Sequence, residues 1–288
     1  MKIAFWSSAR GRSGVTSNLA CISIASAMEY SHKAILIENH YQKNKLGNIL
    51  RYHRSNYMER EENYQFGHIG IDYIIRRFAN GKFDNGLANH SPGMDLDSSQ
   101  VIKEASLEIL DNSLYYIPAS YQFNQETFDY NLYGNIKDIL KATEGFADIT
   151  YIDTSNHNNL SSKIILEEVD LVVVNLIQNS SMIQNFFDNY SSILNKCVFL
   201  ISNYSKNSSL NLNNISKAHS ISKPSIAAIP NNIEYQDAVS QGTVIEFLSR
   251  NYACKRNSPN YTFIREVKKA AAMIRKNTAN ISQKEECP

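Results

Sequence analysis

The chain has 288 residues, 43% of them hydrophobic, with 29 Lys+Arg against 28 Asp+Glu and a formal charge of +1. A chain of this size removes roughly three quarters of its unfolded surface from water on folding, enough for one large α/β domain. The balanced charge provides no global field toward nucleic acid or anionic lipid, so nucleic acid is not an expected partner and either contact would need a local patch.

The first apolar run, KIAFWS (2–7), reads as a strand and leads into SARGRSGVTSNLA (8–20). Gly11 and Gly14 break the run, and Thr16-Ser17 open a helix expected over 15–29 with apolar positions Leu19, Ala20, Ile22, Ile24 and Ala25. Strand, glycine-bearing turn and helix N-terminus together aim backbone N–H groups and the positive end of a helix at an anion. An ordinary βα turn with a Ser/Thr cap is the plain alternative. The run Ile3 to Trp6 is too short for a signal-peptide core, and no stretch of about 18 apolar residues occurs anywhere. A soluble, cytoplasmic protein is expected.

Further strands are expected at AILIE (34–38), LYYIP (114–118), ITYID (149–153), LVVVNL (171–176), VFLIS (198–202) and IAAIP (226–230). Several are continuous apolar runs of the kind buried on both faces. Helical patterns at 67–78, 128–142, 160–168, 181–194 and 261–276 are long enough to cross between parallel strands. The fold class is α/β: a doubly wound, mostly parallel sheet of about seven strands with helices on both faces, as a single domain over 1–278. The polar stretch 42–65 reads as an inserted surface segment, functional or mobile, in which a helix could be hidden. The tail 279–288 is expected to be disordered. Cys21, Cys197, Cys254 and Cys287 lack metal or disulfide spacing and read as reduced thiols.

Asp153, ending an apolar strand, is the acid a nucleotide site needs beside a phosphate loop, with a helix-capping aspartate as the plain alternative. At this point the loop itself resembles S-G-K-G-G-V-G-K-T-T, the deviant Walker A motif of ParA/MinD-type ATPases. Position by position, Arg10 stands for the deviant lysine, Arg12 for a glycine and Val15 for the P-loop lysine, while Gly11, Gly14 and Thr16 match and Ser17 is conservative. AILIENHYQ (34–42) is similar to the family's second strand and D-x-D-P-Q segment, with Glu38 and His40 in place of the two aspartates. ITYIDTSNHNN (149–159) resembles the Walker B strand, FLISNY (199–204) the strand whose terminal asparagine reads adenine, and AAIPNNIEYQDAVSQGTVIEF (227–247) the closing I-P-x-N segment. The likeness runs from Lys2 to about Lys276. Within the family, the loop pattern and GIDYII (70–75) look most like TadZ/CpaE-type pilus assembly proteins, without the receiver-like domain common in that group.

The resemblance implies ATP or ADP with Mg²⁺ as cofactors and nucleotide contacts from Gly11, Arg12, Ser13, Gly14, Val15, Thr16, Ser17, Asn203, Pro230, Asn231 and Asn232. It implies Thr16 at the metal, Asp153 there through water, and Arg10 and His40 as catalytic positions. A lysine on the β/γ-phosphates contributes about 1.5–3 kcal/mol through charge-assisted hydrogen bonding, so its loss weakens binding without abolishing it. Hydrolysis suffers more, because phosphoryl transfer depends on positioning and charge stabilisation. Slow or undetectable turnover is expected, with nucleotide as the glue of a homodimer and Arg10 reaching across it. Implied partners are pilus assembly or secretion proteins, at a polar or membrane-peripheral location. An active ParA-type ATPase partitioning DNA or protein cargo is the alternative. YTFIREVKKAAAMIRK (261–276) reads as a last helix packed on the sheet with a basic outer face, the alternative being a peripheral membrane helix as in MinD-like proteins.

Overall fold

The computed structural model describes residues 1–9, 11, 13–40, 45–50, 69–84, 97–119, 125–154 and 159–285. All seven expected strands form: β1 (Lys2–Trp6), β2 (Ala34–Asn39), β4 (Leu114–Ile117), β5 (Ile149–Thr154), β6 (Leu171–Ile177), β7 (Cys197–Tyr204) and β8 (Ile226–Pro230). An eighth, β3 (Leu107–Leu110), pairs antiparallel with β4 at the sheet edge. It escapes a sequence reading because only Leu107 and Ile109 of its four residues are buried, while Glu108 faces solvent. The sheet order is β3-β4-β2-β5-β1-β6-β7-β8, and every pairing except β3–β4 is parallel.

Strand alternation sends successive side chains to opposite faces, and here both faces are cores. Ile3 and Phe5 of β1 enter one cluster, Ala4 and Trp6 the other. The first cluster is covered by α1 (Val15–Glu29), α2 (Lys45–Ile49), α10 (Ile233–Gln241), α11 (Val244–Asn251) and α12 (Tyr261–Glu285). The second lies under α3 (Ile71–Asp84), α4 (Ser98–Ala105), α5 (Gln125–Tyr133), α6 (Ile136–Glu144), α7 (Leu160–Glu168), α8 (Ser180–Asn189) and α9 (Leu212–Ala218). The helix expected over 128–142 is two, α5 and α6, because Gly134 and Asn135, poor helix formers, fall between them. The segment 42–65 contributes α2, whose Leu46 and Ile49, with Leu50, join the core; its residues 42–44 and 51–65 lie outside the described set. α12 continues to Glu285 through most of the stretch expected to fray, since Ile281 still packs on the core.

The six apolar residues of the 261–276 segment, Phe263, Ile264, Val267, Ala270, Ala271 and Ile274, are all buried in the first core. Its basic side is tied down locally: Lys268 lies 3.6 Å from the Tyr252 ring centroid, Arg275 4.0 Å from that of Tyr30, and Lys269 bridges to Glu266 at 3.0 Å. Among the described residues no helix is long and apolar enough to cross a membrane.

Candidate functional site

β1, β2 and β5 bring their C-terminal ends into line: Phe5 and Glu38 are both register partners of Asp153. The turn after β1 carries Gly11 at φ +70° and Gly14 at φ +72°, a left-handed conformation that favours glycine. A Cβ on Gly14 would meet the Ser202 Oγ at 3.4 Å, so close packing adds to the conformational demand. Gly11 has nothing within 4 Å and lies open. Gly14 is also the N-cap of α1 and no side chain caps that helix, so its first-turn amides look for an acceptor from outside.

A buried network holds the turn from beneath. Asn18 Nδ2 donates to Asn175 Oδ1 at 2.8 Å and to Ser202 Oγ at 2.7 Å, and Ser202 Oγ donates to the Ser13 carbonyl at 2.7 Å. Tyr235 Oη donates to the Ser17 carbonyl, tying α10 to the start of α1. Sequence reasoning did not single out Asn18, Ser202 or Tyr235, because a polar residue inside a buried helix or strand carries no signal until its partners are known.

A cleft of about 480 Å³ opens above this turn, lined by Gly11, Ser13 to Ser17, Asp153 and Thr154, and by His40, Lys45 and Asn48 from the β2–α2 side. Val15 is part of its wall and leaves it open. Asp153 has a fully buried side chain, yet neither carboxylate oxygen finds a hydrogen-bond donor; Thr154 Oγ1 and His40 Nε2 are also buried without a hydrogen bond. His40 Nε2 stands 3.4 Å from Asp153 Oδ1, an ionic contact without hydrogen-bond geometry. Burial alone would push His40 down, but the carboxylates of Asp153 and Glu38 outweigh it and hold the imidazole above its ordinary value.

Glu38 is buried one strand away. It accepts from the backbone N–H groups of Lys45 (2.8 Å) and Leu46 (3.2 Å) and from the Tyr116 hydroxyl (2.9 Å). Burial first, and the charge of Asp153 second, push its carboxyl up to about 7. Buried polar atoms without partners are rare in folded proteins and call for water, an ion or a ligand. The Asp153 oxygens beside uncapped amides suit a hydrated divalent cation accompanying an anion. Among the described residues no group of three or more His, Cys, Asp or Glu could hold a metal alone, so such an ion would rely on ligand oxygens as well.

A second cavity of about 290 Å³ adjoins the turn through shared Gly14 and Ser17 and is lined by Asn203, Pro230 and Asn232, with Asn18, Tyr235 and Phe263. Asn203 sits at φ +50° where the β7–β8 register shifts, which turns its side chain out of the sheet. Asn232 caps α10, accepting from the Tyr235 N–H at 2.7 Å and donating to Asn260 Oδ1 at 2.8 Å. Asn231 lies outside that lining; its amide oxygen accepts from Gln236 Nε2. Gly11, Ser13, Gly14, Val15, Thr16, Ser17, His40 and Asp153 thus share one cleft, and Asn203, Pro230 and Asn232 the adjoining one. Arg10 and Arg12 fall outside the described residues. Lys45 and Asn48 are additions from the segment 42–65, where the spacing of Leu46, Ile49 and Leu50 was the available helical signal.

Strand order, glycine turn and acid-ended neighbouring strand define an α/β fold of the P-loop NTPase class. The chain is similar to the cell division ATPase MinD of Pyrococcus furiosus, with a TM-score of 0.63 and 13% identity over 96% of this chain and 98% of that one. It is equally similar to the septum site-determining protein MinD complexed with Mg-ADP from Pyrococcus horikoshii OT3, at 0.63 and 13% over 97% and 98%. A putative plasmid partition protein of Borrelia burgdorferi B31 bound to AMPPNP gives 0.60 and 16% over 96% and 98%. No protein-family model matches the chain, and no curated protein does. At these identities the likeness is one of fold, and the fold is that of ParA/MinD-type P-loop ATPases.

Proposed function

We propose that this protein binds ATP or ADP with Mg²⁺ and works as a nucleotide-dependent homodimerising scaffold, with weak or no hydrolysis, that marks where a Tad/Flp-type pilus machine assembles. The observation that carries the nucleotide reading is the pairing of an uncapped α1 with the buried Asp153 carboxylate, which accepts no hydrogen bond, across an open cleft. Amides of the Gly11–Ser17 turn would take the phosphates, Thr16 and Asp153 the metal shell, and Asn203 with Pro230 and Asn232 the base. Mg²⁺ would neutralise phosphate charge. Val15 where a lysine is expected, and His40 where a water-orienting aspartate is expected, support binding retained over catalysis lost. The pilus role rests on the sequence likeness to TadZ/CpaE proteins alone.

Gel filtration with and without ATP·Mg²⁺ tests the scaffold reading, which expects a shift from monomer to dimer; an unchanged monomer in both conditions refutes it. The second reading, a partition ATPase, is favoured by the fold shared with a plasmid partition protein. It requires steady phosphate release that an Arg10→Ala variant lowers.

A further inference from the structure

We propose that Lys45, on α2, is the cation that replaces the P-loop lysine, gripping the β/γ-phosphates from across the cleft and selecting di- and triphosphates over monophosphates. This rests on the nucleotide reading above and adds to it the group that recognises the polyphosphate. Among the described residues Lys45 is the one lysine or arginine lining the cleft. Its ammonium has no ion pair among them.

Its placement is held firmly even though its side chain is exposed. The Glu38 carboxylate takes the backbone N–H groups of Lys45 and Leu46, and Leu46 and Ile49 anchor the turn in the core beside α1. The Cα of Lys45 is therefore fixed at the rim while the four-carbon stem is free to reach inward.

Space and charge agree. Val15 begins α1, where a lysine side chain would run along the phosphates, and its short branched side chain leaves that path open. Without Lys45 the described lining would present a polyphosphate with the Asp153 carboxylate and no permanent cation. An ammonium on a flexible stem reaching from a second helix satisfies the same need as one at the base of the first, because a point charge makes little demand on direction. The Asp153 and Thr154 oxygens left without hydrogen bonds in the same cleft are independent signs that a ligand and its counter-ion complete it.

Isothermal titration of the full chain with ATP, ADP and AMP in Mg²⁺ buffer, for wild type and for Lys45→Met, Lys45→Gln and Lys45→Arg, tests this. Loss of one charge-assisted contact should weaken ATP and ADP roughly 10- to 100-fold in Lys45→Met and Lys45→Gln. AMP affinity should change less than about 2-fold, and Lys45→Arg should recover most of the ATP affinity. Melting temperatures should match wild type, since only the backbone of Lys45 is used in packing. Wild-type ATP affinity in both neutral variants overturns the assignment of Lys45 while leaving nucleotide binding intact, as does an equal loss for all three nucleotides. No heat from any nucleotide with wild type overturns the nucleotide reading itself, and this inference with it.

Discussion

Glu38 shows how one buried carboxyl links chemistry to stability. Its folded value of about 7 lies above the ordinary 4.5, so between those values the folded chain holds a proton that the unfolded chain has released. The folded state binds more protons, and stability falls as pH rises through that window. His40 acts in the same sense: its value is also raised, so its contribution is full below its ordinary 6.5 and is lost as pH rises past the folded value. Each pKa unit corresponds to about 1.4 kcal/mol, so Glu38 accounts for roughly 3 kcal/mol at most. Urea unfolding of nucleotide-free protein in EDTA at pH 5.5 and pH 8 should give a smaller pH difference for Glu38→Gln than for wild type. Parallel pH profiles would contradict this account of Glu38. That Glu38 would lie near the site was legible from its position ahead of His40; its neighbour Asp153, which helps raise its value, is 115 positions away in sequence and is brought beside it by the β2–β5 register alone.

At the scale of the element, α1 is unusual in being buried on most of its circumference, with Asn18, Ser23 and Ser26 enclosed along with Leu19, Ile22 and Ile24. Such a helix gives little amphipathic signal; its start was legible from the glycines and Thr16-Ser17, its surroundings were not. Asn18 donates to two other elements, to Asn175 on β6 and to Ser202 on β7. Removing it leaves both acceptors buried without their donor, which costs about 1–3 kcal/mol. Asn18→Ala should therefore lower unfolding free energy by roughly that amount in chemical denaturation. Because Ser202 also fixes the Ser13 carbonyl, the variant should weaken any anion held by the turn. A variant as stable as wild type would mean that the network contributes only geometry. The same tertiary dependence explains α2: its Leu46, Ile49 and Leu50 form too short an apolar pattern to stand out within a polar stretch, and the helix exists because Glu38 caps its first amides and α1 covers its apolar side.

For the whole molecule, one sheet with a core on each face makes a strong claim about cooperativity. β1 belongs to both cores, through Ile3 and Phe5 on one side and Ala4 and Trp6 on the other, so neither core can melt while the other keeps its central strand. Trp6, the chain's single tryptophan, is 4 % exposed and packs edge-on against Tyr190 at 4.8 Å between centroids. Thermal unfolding followed by tryptophan fluorescence should coincide with far-UV circular dichroism within about 2 °C, as two-state behaviour requires. Separated transitions would show that the two faces unfold independently. The sequence by itself determined the parallel α/β class, seven strands, the glycine turn after the first of them and an acid near the end of another, because apolar runs, glycine positions and strand-end residues are local properties. Only the tertiary structure decided that an eighth strand closes the edge, that Glu38, His40 and Asp153 meet, and that Lys45 faces the cleft. Those facts depend on strand order and register, which bring together residues that no pattern within a single segment connects.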